Sequence, residues 1–330
     1  MGRKMAKRLA PLLQGWIGLW GLFALPLLAA TPDYPSRPVR LVVPFAPGGG
    51  FEVGLRPLAQ ELSARLEQPV VVDNRGGAGG IVGTEIVARA LPDGYTLLGG
   101  SVSLASLPGL NKNLPFDPIK DFEPITIAVT SAYFLLLNAA VQVNSVKELI
   151  ALSKQTPGRL RIGSAGNGST IHLAGEMFKS MAGIDITLIS YKGSGPAMTA
   201  LLGNEIQLLF APTGTSLPQV NAGKVRAIGI SSIKRWKVMP GIPTLAESGL
   251  PGFEVSGWYG LLAPAKTPRP VIDKLYAESR KALDTDSMRE RLSANSLEPL
   301  ALTPEQSAQF IKADIARWSR VIREANIVKE

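Results

Sequence analysis

The chain has 330 residues, 45% of them hydrophobic, with 35 lysines and arginines against 26 acids and a net charge of +9. It carries no cysteine and a single histidine, His172. That excludes disulfides and thiolate chemistry and leaves too few soft ligands for a zinc site. The length suits one large domain or two of ordinary size.

The first thirty residues differ from the rest. "MGRKMAKRLA" supplies Arg3, Lys4, Lys7 and Arg8 without an acid, and a Leu-, Trp-, Ala- and Gly-rich stretch then runs to "LPLLAA" at Ala30. A basic start, an apolar middle and a small-residue end read as a secretory signal peptide over 1–30, cut after Ala30. An uncleaved anchor is the alternative. No cysteine follows, so a lipoprotein anchor is excluded and the periplasm is the expected compartment. Removing the leader leaves 31 basic residues against 26 acids, a net of +5. That mild charge, without Lys/Arg blocks, makes no case for nucleic acid and slightly favours an anionic small ligand.

Beyond the leader, "RPVRLVVPF" reads as a buried strand that ends in "APGGGFE". "LRPLAQELSARL" places Leu55, Leu58, Leu62 and Leu66 at helical spacing, with Pro57 tolerable where the helix begins just before it. "QPVVVDNR" is a second strand, "GGAGGIVGTEIVARA" a glycine turn opening a helix, and "GYTLLGGSVS" a third strand. The middle repeats the scheme. "SAYFLLLNAA" is a strand and "SVKELIALSKQ" an amphipathic helix capped by Ser145. "LRIGSAGNGSTIHLAGEMFKSMAG" is strand, hydroxyl-glycine loop and helix, and "ITLISYKGSGPAMTALLGNEIQLLFA" is strand, loop, helix and strand. "VRAIGIS" is another strand, and the chain from "TPRPVIDKLYAESRKAL" onwards is mostly helical. The alternation implies an α/β architecture with a largely parallel sheet, whose ligands bind beyond the carboxyl ends of the strands. Two similar halves closed by C-terminal helices imply two lobes and a cleft, with crossings near Ile125–Ser131 and Gly252–Gly260.

Catalytic chemistry is poorly served. A Ser-His-Asp hydrolase could use only His172, and "GNGSTIHLAGE" lacks the G-x-S-x-G elbow. With Ser169 as N-cap, His172 falls at the third helical position, where a capping or packing role is the simpler reading. "GGAGGIVG" imitates a dinucleotide fingerprint, but with the looser G-x-G-x-x-x-G spacing of Gly77, Gly79 and Gly83. "APGGGFE" is no P-loop, since Phe51 and Glu52 stand where Lys and Ser/Thr are needed. Ligand capture is better supported. Four strand-to-helix turns, "APGGGFE", "RGGAGGI", "GSAGNGST" and "YKGSGP", and the loop "GGSVS" offer amides and hydroxyls at helix N-termini, which suit a carboxylate as well as a phosphate.

From "YPSRPVRLVVPFAPGGG" at Tyr34 to "IREANIVKE" at the end, the chain resembles the tripartite tricarboxylate transporter substrate-binding proteins, the Bug family of periplasmic receptors. Further blocks carrying the resemblance are "QPVVVDNRGGAGGIVG", "PDGYTLL", "LPFDPIKDFEPI", "YKGSGPAMTALLGNEIQLLF", "AGKVRAIGISS" and "PTLAESGLPGFEVSGWYGLLAPAKTP". The resemblance implies a two-lobed type II periplasmic-binding fold that closes on a small carboxylate. It implies a first lobe of 31–128 and 255–330, with 129–254 forming the second. Its ligand positions would be Phe45, Gly48, Gly49 and Glu52; Gly77, Ala78 and Gly79; Ser101 and Ser103; and, across the cleft, Asn167, Gly168, Ser169, Thr170 and Ala211. No cofactor, metal or catalytic residue is expected; the partners would be a small organic acid and a membrane permease, and the protein a monomer. Many members carry Asp where Glu52 and Ala211 stand, and Ser or Thr where Phe51 stands. These departures point to a ligand without an ammonium group, a di- or tricarboxylate or an aromatic acid. A sensory receptor without transport, or an exported enzyme, remains the alternative.

Overall fold

The computed structural model describes residues 34–236, 239–295, 297–324 and 327. The expected signal peptide lies outside the described residues. The chain runs β1 (Val39–Val43), α1 (Gly50–Arg65), β2 (Val70–Asn74), a 3-10 turn (Ala78–Gly80), α2 (Ile81–Ala88), β3 (Thr96–Ser101), α3 (Val102–Leu110) and β4 (Phe122–Ser131). It continues through β5 (Tyr133–Asn138), α4 (Val146–Gln155), β6 (Arg161–Ser164), α5 (Thr170–Ala182), β7 (Thr187–Ser190), α6 (Ser194–Leu202), β8 (Leu208–Pro212), α7 (Thr213–Asn221) and β9 (Val225–Ile230). It ends with β10 (Gly257–Pro264), α8 (Arg269–Leu283), α9 (Asp286–Ala294), β11 (Leu297–Pro299) and α10 (Pro304–Glu324).

These strands form two mixed sheets. One has the order β11-β4-β10-β3-β1-β2 and the other β7-β6-β8-β5-β9. β1 runs parallel to β2 and β3, while β10 is antiparallel to both β3 and β4. In the second sheet β6 runs parallel to β7 and β8, and β5 lies antiparallel between β8 and β9. The architecture is the expected two-lobed α/β fold, but its sheets are mixed rather than largely parallel, because β10 and β5 each enter their sheet antiparallel to both neighbours and β11 adds antiparallel to β4. The chain leaves the first sheet at Ala132, the one residue between β4 and β5, and returns to it at Gly257. The two passages lie side by side: Gly257 pairs with Ser131 and Trp258 with Thr130. Ser231 ties them further, its Oγ donating to the Val255 carbonyl at 2.6 Å and accepting the Tyr133 N–H at 3.0 Å. The boundary read at residue 129 falls inside β4, whose last residues stay paired with β10.

Local chemistry explains most of the elements. Ser145 caps α4 by accepting the Glu148 N–H at 3.2 Å, and Ser169 caps α5 through the His172 N–H at 3.2 Å. α1 departs from expectation: it starts at Gly50, so Pro57 sits inside it rather than near its first turn. The missing hydrogen bond is outweighed because Leu55, Leu58 and Leu62 are all fully buried against the first sheet, each contributing roughly 1.5–3 kcal/mol. α10 packs its apolar face on the same sheet, where Asp314 accepts the Trp258 indole N–H at 2.8 Å. α3, which no periodic pattern announced, is buried from Val102 to Leu107 on every side.

Candidate functional site

The two sheets point the ends of their strands at each other, and five helices begin there. A chamber of about 40 Å³ is lined by Gly49, Gly50 and Phe51 at the start of α1, Ser101 before α3 and Ser169, Thr170 and Ile171 at the start of α5. Ser194 at the start of α6 and Pro212 before α7 complete that ring, with Phe45, Tyr133, Ala165 and Tyr259 as walls. No charged side chain lines it. Instead, five positive helix ends, two from one lobe and three from the other, face one volume. That arrangement favours a negative charge without supplying a counter-ion.

The walls are aromatic and hydroxylated. Phe45 stacks on Phe51 with centroids 5.7 Å apart, and Phe51 meets Tyr259 at 4.8 Å. The Tyr133 and Tyr259 hydroxyls, from β5 and β10, are 3.4 Å apart. Burial, and then the neighbouring Tyr133, push the Tyr259 phenol well above its ordinary value, so it stays a hydroxyl donor. Ser169 uses a lone pair of Oγ for its cap, which leaves its proton for a ligand. Ser101 and Ser103 hydroxyls are 3.0 Å apart.

Outside the chamber the lobes touch. The Ala46 N–H donates to the Lys192 carbonyl at 3.0 Å, and Ser106 Oγ donates to the Gly168 carbonyl at 2.5 Å. Gly79, at φ +63°, lies against the Asn167 carbonyl with no space for a side chain. Around these contacts runs an outer groove of about 770 Å³. It shares Ala165 with the chamber.

The expected positions therefore divide. Phe45, Gly49, Ser101, Ser169 and Thr170 line the chamber, while Gly77, Ala78, Gly79 and Asn167 line the groove. Gly48 abuts Gly195, Ser103 backs Ser101, and Gly168 is held by donating its N–H to His172 Nδ1 at 3.3 Å. Glu52 and Ala211 line neither. The Glu52 carboxylate is paired with Arg56 one turn along α1, and Ala211 sits inside β8 opposite Phe134. Phe51, by contrast, does face the chamber. Sequence reasoning passed over Tyr133, Ser194, Pro212 and Tyr259. Ser194 was visible in "YKGSGP"; the two tyrosines had no local signal, because the sheet crossings bring them together. His172 is buried behind the loop rather than in the lining. Among the described residues no group of three metal-ligating side chains occurs.

The model of the tripartite tricarboxylate transporter family receptor, TctC, matches residues 55–327. The chain belongs to that family. The receptor is 37% identical to protein BugT of Bordetella pertussis over 303 residues, 91% of this chain and 92% of BugT. The solved periplasmic binding protein BugD is 37% identical, with a TM-score of 0.88 over 90% of this chain and all of BugD. The R. palustris protein Rpa4515, solved with adipate, is 34% identical, with a TM-score of 0.87 over 90% of this chain and all of that one. Family and structural relatives are thus solute-binding receptors of a carboxylate transport system.

Proposed function

We propose that this receptor works in the periplasm as a monomer, closing on a small organic carboxylate and delivering it to membrane permease subunits without chemical turnover. The first lobe would comprise 31–128 with 255–330, and the second 129–254. The carboxylate would sit in the chamber, accepting hydrogen bonds from the α1 and α5 amides, Ser101, Ser169 and Thr170, with Phe45 and Phe51 as its apolar walls. Gly77, Ala78, Gly79, Asn167 and Gly168 would act at the rim by closing over it.

One observation carries the reading: five helix N-termini meet at a buried chamber with hydroxyl donors and no charged side chain. An acidic lining would repel a carboxylate and a lysine would trap it, whereas fixed dipoles attract it while needing no proton transfer. The same lining offers no carboxylate to pair with an ammonium group, which disfavours amino acids.

The test is thermal unfolding of the purified protein, refolded to strip bound ligand, against carboxylates and amino acids. A ligand at 100 times its dissociation constant adds about 2.7 kcal/mol, a rise of about 5–10 °C at roughly 2–4 °C per kcal/mol. Ser169→Ala and Thr170→Ala should each weaken the best acid by roughly 1–3 kcal/mol. Ser169→Ala should also lose about 1 kcal/mol of stability with its cap. Preference for an amino acid, or unaltered affinity in both variants, would refute the reading.

A further inference from the structure

The chamber and the groove differ greatly in size and character, yet share a wall. About 40 Å³ has room for about three waters, enough for a carboxylate group and little more. The groove, at about 770 Å³, falls within the roughly 300–1,000 Å³ of sites that hold whole organic molecules. Its lining is largely apolar: Ile81, Leu107 and Leu110 from the first lobe face Leu188, Tyr191 and Pro196 from the second. The one cationic side chain in it is Lys192, which is exposed. The groove thus matches the body of an organic acid, where the chamber matches only its head.

The junction is Ala165. It lines both volumes, directly after β6, and is buried with 5% exposure. Its methyl group is the smallest side chain that carries a Cβ, so it obstructs the space between the two volumes less than any other non-glycine residue would. On either side of it the same two lobes supply the walls, so a molecule lying in both volumes would be gripped only when the lobes meet.

Resting on the receptor reading above, we infer that chamber and groove form one bipartite site for an elongated aliphatic carboxylate. The carboxylate occupies the chamber, the chain passes Ala165, and the hydrocarbon lies between the leucines of the two lobes. The ligand class is then set by chain length rather than by a second charge. Short acids fill the chamber alone, and each further methylene is buried in the groove.

The experiment is calorimetric titration of the purified protein with unbranched monocarboxylates of two to ten carbons. Once the chamber is filled, affinity should rise about fourfold for each added methylene until the groove is occupied. In Ala165→Leu the rise should vanish, so that long acids bind no tighter than short ones. Leu188→Gln, at a half-buried edge position, should lower the gain per methylene, and the thermal midpoints of both ligand-free variants show that they fold. Affinity that peaks at two to four carbons and falls thereafter would confine the site to the chamber and overturn the inference while leaving the receptor reading intact. A rise with chain length that both variants preserve would also overturn it. Silence for every acid would remove both.

Discussion

Gly79→Ala tests closure apart from binding chemistry. At φ +63° and ψ 19° the residue occupies the left-handed region, where a Cβ costs roughly 1–2 kcal/mol whether the lobes are apart or together. That strain lowers stability without altering the ligand equilibrium. The second effect does alter it. A Cβ at this position would lie 1.6 Å from the Asn167 carbonyl oxygen and 2.7 Å from its carbon, and contacts under 3.0 Å essentially never occur. Going from 1.6 to 3.0 Å requires about 1.4 Å of separation, against backbone that cannot swing aside as a flexible side chain would. If the clash costs what overpacking a well-packed core does, roughly 1–3 kcal/mol, it falls on the closed state alone. The population able to hold ligand drops accordingly, and apparent affinity should weaken about 5- to 150-fold. Gly223→Ala is the matched control: its φ is +68° and a Cβ there meets nothing within 4 Å. Both variants should lose similar thermal stability, while only Gly79→Ala should lose affinity in calorimetric titration with the best acid of the panel. Equal affinity in the two would mean that these loops do not meet in the bound state.

Two further outcomes follow from buried contacts. Gly50→Ala would place a Cβ 1.7 Å from the Tyr259 hydroxyl and 2.4 Å from Cζ. It should cost roughly 1–3 kcal/mol in urea unfolding, and Tyr259→Phe in the same chain should recover only part, because the ring carbon remains. Asp314 is raised by burial, with the Trp258 hydrogen bond and Arg317 opposing. A folded carboxyl raised above its unfolded value binds more protons in the native state, so its contribution declines as pH rises from the unfolded value through the folded one. Asp314→Asn keeps an acceptor for Trp258 and should therefore be favoured over wild type at neutral pH, with the difference shrinking in acid. A difference that grows in acid would contradict this.

Legibility differed by element for physical reasons. β1, β2, β5 and α4 announced themselves through apolar runs, helical spacing and the Ser145 cap, all of which are local. α3 was hidden because its residues are buried all round, so it has no polar face to set a period. Pro57 misled in the other direction, since local chemistry resists a proline inside α1 and three fully buried leucines override it. At the site, glycine and hydroxyl loops marked the helix ends correctly, because a bared N-terminus needs small residues wherever two loops approach closely. What no local signal could carry was the partition between chamber and rim. Ser169 and Asn167 are two residues apart, yet one lines the chamber and the other the groove. Tyr133 and Tyr259 are 126 positions apart and meet only through the sheet crossings.

The hydrogen bonds between the lobes bear on how such a receptor would close. Among the described residues, the cross-cleft hydrogen bonds Ala46 to Lys192, Ser106 to Gly168 and the long Tyr133–Tyr259 contact contribute roughly 0.5–1.5 kcal/mol each. Against them, closure takes the amides and hydroxyls around the chamber out of water, at roughly 1–3 kcal/mol for each donor left without an acceptor. These hydrogen bonds by themselves therefore do not hold the closed state strongly. Moving a population from 1:99 to 99:1 takes about 5.5 kcal/mol of differential affinity, a quantity that several amide and hydroxyl donors shared between two lobes can supply only when one acceptor satisfies them together. A carboxylate, with two oxygens and about four acceptor sites, meets donors from both half-sites at once; a molecule with a single acceptor does not, and a neutral one gains less from the positive helix ends. In this way the division of the helix ends between the lobes would make closure conditional on the ligand's charge.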